Sequence, residues 1–272
     1  MGFMANFKAN AALRAHNKGD LVKARRLYEE AMAGGLMSAR PMLGYALLLI
    51  RAGEYETAME LLKKTQKAPD LTPDRKSQLF VDYAACCAKT GQLRKGMQLL
   101  ERQHDRVPTG LTYQTLGYLY VEYLAPENTI VADENTDVKL PDGQPMPEEG
   151  LTVEEKQRIL DEEWKQILEK AEVLLDAAID YDDEDPVCLD NKGQFLYRIK
   201  GDKEAAKEWF EKAHAEKPEQ VDSLWFLSRY DLEAGDKAAA IEKLETALGG
   251  RMSPLNYANR EMIEEELKSL RG

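Results

Sequence analysis

The side chains able to do chemistry are few and scattered. The three histidines, His16, His104 and His214, fall on three different repeats, and His104, beside Asp105 at a helix end, reads as a C-terminal charge partner and not as a base. The three cysteines are Cys86, Cys87 and Cys188. Adjacent cysteines on a helix point in different directions, and no further Cys or His stands at zinc-ligand spacing. An odd, low cysteine count fits free thiols in a reducing compartment. The run Asp133-Glu134-Asn135-Thr136-Asp137 places oxygen ligands at alternate positions, as a calcium loop does. It fails at the sixth position, where Val138 replaces the needed glycine, and at the twelfth, where Gln144 replaces a glutamate. There is no glycine-rich phosphate loop and no nucleophile elbow. The expectation is a non-enzymatic protein with no cofactor and no metal.

Composition points the same way. The chain has 272 residues, is 43% hydrophobic and 32% charged, and carries a net charge of −12. That charge is uneven: residues 1–110 carry +7, residues 111–184 carry −15 and residues 185–272 carry −4. An acidic chain disfavours nucleic acid as a partner. The longest apolar run, Tyr45–Ile50, is too short to span a bilayer. The first ten residues lack the apolar core of a signal peptide. A cytoplasmic protein is expected, with membrane contact only through an upstream anchor absent from this chain.

What organises the chain is a repeated phrase, complete at Gly201, Asp202, Ala206, Phe210, Ala213 and Pro218. A glycine closes one helix, an aspartate caps the next, and small then large apolar residues follow at helical spacing. The small residue recurs at Ala24, Ala58, Gly96, Ala171, Ala206 and Ala240. Four residues later stands Tyr28, Leu62, Leu100, Leu175, Phe210 or Leu244, and five residues earlier stands Gly19, Gly53, Gly91, Gly201 or Gly235. Only the copy at Ala171 lacks the glycine, having Gln166. The small residue lets antiparallel helices approach, and the large one fills the space to the next hairpin.

A period near 34 residues with this pattern resembles the tetratricopeptide repeat. Tyr113, Leu116, Gly117 and Tyr120 match its first helix, and Ala206, Phe210, Ala213 and Pro218 its second. Departures are Gly96 and Gln103 where alanine is usual, and Gln194 and Ser228 where the first helix usually has Gly or Ala. The resemblance implies an all-α, right-handed superhelical solenoid of about six helix-turn-helix repeats with a C-terminal capping helix. The expected organisation is repeats one to three in 1–110, repeat four in 111–184, repeats five and six in 185–252, and a cap in 253–272. Ser253-Pro254 reads as the start of that cap.

Repeat four is interrupted. Residues 125–150 hold Pro126, Pro141, Pro145, Pro147 and the turn signal Pro141-Asp142-Gly143, so they read as an acidic irregular loop. Thr152 with Glu155 makes a capping box, and a long helix is expected over 152–181. Its stripe of Ile159, Leu160, Trp164, Ile167 and Leu168 must pack on the loop itself or on a partner.

The resemblance further implies a concave groove lined by first helices and used to bind proteins or peptides. Its candidate residues here are Leu43, Leu47, Val81, Gln114, Tyr118, Phe195, Arg198, Trp225 and Arg229. The clamp by which some members hold acidic chaperone tails is absent, since the matching positions include Ala9, Leu13, Gln78 and Asp82. The expected function is a protein- or peptide-binding scaffold or adaptor. The alternative is a regulatory sensor of a small signalling peptide, which would need an effector domain that no segment supplies.

Overall fold

The computed structural model describes residues 2–138, 140, 147 and 150–272. The turn signal at 141–143 and the calcium-loop position Gln144 lie outside the described residues. The protein is an all-α solenoid of helical hairpins. It divides into two compact units, one made of 1–116 with 219–272 and the other of 117–218.

In the first unit α1 (Gly2–Asn17) pairs with α2 (Leu21–Ala33), α3 (Ala39–Arg51) with α4 (Tyr55–Thr65), and α5 (Pro73–Lys89) with α6 (Leu93–His104). The hairpin turns are closed by Gly19, Gly53 and Gly91 at φ of 79, 77 and 71°. A side chain is rarely tolerated there, which is why these positions are glycine. After them, the second helix is capped by Asp20 in α2, whose side chain accepts from the Lys23 N–H. The register residues form the core. Ala24, Ala58, Tyr28, Leu62 and Leu100 are all fully buried. Gly96 replaces alanine because α5 and α6 come too close: an added Cβ would meet the Ala84 carbonyl at 2.9 Å and the Cys87 Cβ at 3.0 Å.

The C-terminal part of this unit holds α11 (Val221–Glu233), α12 (Lys237–Gly249) and α13 (Arg260–Arg271). The last helix starts at Arg260, capped by Asn259, and not at Pro254. The reason is a tertiary contact. The buried Asp222 carboxylate accepts from Asn256 Nδ2 and from the backbone N–H groups of Tyr257 and Ala258 at 2.9–3.0 Å. Three donors to one carboxylate hold this segment in a non-helical path.

The second unit contains most of α7 (Gly110–Leu124), then α8 (Val153–Tyr181), α9 (Pro186–Gln194) and α10 (Lys203–Glu216). α8 is 29 residues long and opens with the Thr152–Glu155 capping box. α9 does not end at Gln194 but runs on as one π-helical turn, Phe195–Lys200, to Gly201 at φ 70°. This turn accounts for Gln194 in the small-residue position. The close approach is made one residue earlier by Gly193, where a Cβ would meet the Phe210 ring at 2.7 Å. The wider π turn takes up the extra residue before Gly201.

Candidate functional site

The first-helix residues fall into sets that belong to different parts of the fold. On α3 and α5, Leu43 and Val81 are each 7% exposed, and Leu47 is half-buried. Beside Val81 lies Asp82, only 5% exposed. Its Oδ1 accepts from Gln78 Nε2 at 2.7 Å, while its buried Oδ2 has no hydrogen-bond partner. Burial pushes its pKa up to about 7, against the hydrogen bond from Gln78, which pulls it down. A buried carboxylate with a spare oxygen is costly and needs a reason. The sequence carries the signal: one acid in the otherwise apolar stretch from Leu79 to Cys87. Gln114, on α7, is half-buried.

In the second unit the remaining candidates are already engaged. Tyr118 is 7% exposed and Phe195 1%. Phe195 offers no free surface, because the one-residue slip marked by Gly193 and the π turn moves it off the row of the other first helices. The polar row runs instead through Asp190, Gln194 and Arg198. Gln194 Nε2 donates to Asp190 Oδ2 at 2.7 Å, and Arg198 Nη1 donates to Gln194 Oε1 at 3.0 Å. Arg198, with a side chain 6% exposed, also binds Glu122 through Nη1 and Glu127 through Nη2, both at 2.7 Å. Glu127 sits in a 3₁₀ turn, Pro126–Asn128, that starts the insertion.

The α8 stripe packs against the insertion. Ala132 and Val138 pack with Leu160, Leu151 and Ile159. The Ala132 N–H donates to Gln157 Oε1 at 2.8 Å, and Lys156 Nζ donates to the Glu134 carbonyl at 2.6 Å. Trp164 Nε1 donates to the Leu124 carbonyl at 3.3 Å. Asp133, a candidate calcium ligand, instead folds its own turn, accepting from Thr136 Oγ1 at 2.6 Å and the Asn135 N–H at 3.0 Å.

Trp225 and Arg229 lie on α11. The guanidinium sits 4.2 Å from the Trp225 ring centroid, and Nη1 donates to Glu266 of α13 at 2.9 Å. Trp225 keeps 9% of its surface exposed.

Among the described residues nothing assembles a reaction centre. His16 Nδ1 lies 3.4 Å from the Tyr28 hydroxyl, and His104 Nδ1 lies 2.8 Å from Thr112 Oγ1. Burial lowers the pKa of both. The three thiols are buried and unpaired, and burial pushes that of Cys86 up to about 12. Among the described residues no group of three or more His, Cys, Asp or Glu could hold a metal ion. Nor is any helix of the described residues long and apolar enough to cross a membrane.

Similarity to solved structures decides the class of fold. TTC0263, a thermophilic protein of Thermus thermophilus, matches with a TM-score of 0.59 at 16% identity, over 86% of this chain and 99% of its own. It is described as a tetratricopeptide-repeat protein. The fold is that of the tetratricopeptide repeat. PilW, a type IV pilus biogenesis factor, matches with a TM-score of 0.60 at 13% identity over the full length of both chains. PilF of Pseudomonas aeruginosa matches with a TM-score of 0.55 at 11% identity over 97% of each chain. No family model matches the sequence, and no curated protein does. At these identities the tetratricopeptide likeness extends to the fold alone.

Proposed function

We propose that this chain is a non-enzymatic, cytoplasmic scaffold that binds a protein or peptide segment along the first helices of its tetratricopeptide hairpins. One observation carries the reading. On the first helices α3 and α5, the apolar side chains of Leu43, Leu47 and Val81 keep part of their surface exposed, Leu47 the most. A segment with apolar side chains would suit these positions. Three free buried thiols support a reducing compartment.

A photo-crosslinking residue at Leu47, compared with one at Val22, tests this. Val22 is 86% exposed on α2, a second helix. The scaffold reading expects a discrete crosslinked partner from Leu47 in native lysate and none from Val22. It also expects Leu47→Asp to abolish binding of that partner once purified. Equal labelling at both positions, or binding unchanged by Leu47→Asp, would count against it.

A further inference from the structure

Away from α5 the first unit has a cleft of about 460 Å³ beside α1. Asn6 and Asn10 line it, one helical turn apart and exposed. Met37, 45% exposed, and Pro41 line it too. Asp70 also reaches it, but its carboxylate is engaged by the Ala39 N–H at 2.7 Å and Ser38 Oγ at 2.8 Å. Two carboxamides in one cleft with Met37 and Pro41 suit an extended backbone with aliphatic side chains. Each carboxamide offers both a donor and an acceptor to a peptide unit.

The insertion carries such a segment. Ile130 is 48% exposed and Val131 78% exposed, and residues 129–132 have no helix. Both ends are pinned. Asn128 Nδ2 donates to the Glu122 carbonyl at 2.9 Å, and the Ala132 N–H is held by Gln157. Two aliphatic side chains are thus presented on a backbone already ordered, which lowers the entropy lost on docking. The residues beside the two surfaces also differ in charge, with Arg75 Nη1 donating to the Asp70 carbonyl at 3.0 Å next to the cleft. The cleft lies in residues 1–116, which carry +7, with Arg40 exposed in the first turn of α3. The segment lies in residues 117–184, which carry −15, flanked by Glu127, Asp133 and Glu134.

We propose that Ile130–Val131 of one copy docks in the Asn6–Asn10–Met37 cleft of a second copy. The two surfaces differ, so the contact is heterologous and repeats head to tail. The cleft takes in the first turn of α3 but not Leu43, Leu47 or Val81, so failure of this contact would leave the reading of the α3–α5 face intact.

Sedimentation velocity of the full chain over a wide concentration range tests this. Mass should rise with concentration in low salt and fall in high salt. The double substitution Ile130→Asp with Val131→Asp, or Met37→Glu alone, should weaken association about tenfold or more by removing buried apolar area. All three positions are exposed, and circular dichroism should show both variants folded. Mixed together, the two variants retain one intact pair of surfaces and should form dimers that grow no further. A wild type that is monomeric throughout, variants that associate like wild type, or a mixture that stays monomeric would each overturn the proposal.

Discussion

Replacing Asp82 with asparagine should stabilise the protein, and by an amount that grows with pH. The carboxyl is 5% exposed with one oxygen unpartnered, and its pKa rises from 3.8 to about 7 on folding. Between those values the folded chain holds a proton that the unfolded chain has released. Stability therefore falls as pH rises through this window and levels off above 7. Three pH units at 1.36 kcal/mol each set an upper bound of about 4 kcal/mol. Asparagine keeps the acceptor for Gln78 and cannot ionise. Near pH 4 the two proteins should be about equally stable, and at pH 8 Asp82→Asn should be the more stable by up to about 4 kcal/mol. Urea unfolding of both at a series of pH values checks this. The other titrating groups are common to both proteins and cancel in the difference. A difference that does not change with pH, or an Asp82→Asn protein less stable than wild type at pH 8, would refute the reasoning.

Gly96→Ala gains helix propensity but drives a Cβ into the Ala84 carbonyl and Cys87, so thermal unfolding should show a net loss of about 1–3 kcal/mol. Arg198→Ala leaves the Glu122 carboxylate, 19% exposed, without its cation and should cost about 3 kcal/mol, whereas Glu127→Gln, at a position 51% exposed, should stay within about 1 kcal/mol. Denaturant titration separates the two. Leu160→Ala removes the residue on which Ala132 and Val138 pack, and should cost at least about 2 kcal/mol while speeding protease cleavage between 132 and 138.

The hairpin scaffold is legible in the sequence because it rests on local rules. A turn glycine at positive φ and small and large residues at fixed offsets are properties of neighbouring residues, and Ala206, Phe210 and Gly201 carry them in the sequence itself. Three features need the third dimension. The start of α13 is set by three donors converging on Asp222, a residue more than thirty positions earlier. The burial of Phe195 follows from a π turn, and counting back from Ala206 passes over its extra residue without notice. The partner of Leu160 is hidden in the sequence because Ala132 and Val138 lie in a segment with no periodicity. Asp82 shows the limit most clearly: its residue type is visible, but its half-satisfied burial is a property of packing.

The central claim is that a partner segment lies along α3 and α5. Hydrogen exchange on the complex with the partner trapped at Leu47 tests it directly. The account predicts added protection around Leu43–Leu47 and Gln78–Asp82, with α4 unchanged. Protection confined to α8 and the insertion, with α3 and α5 exchanging as in the free protein, would contradict it.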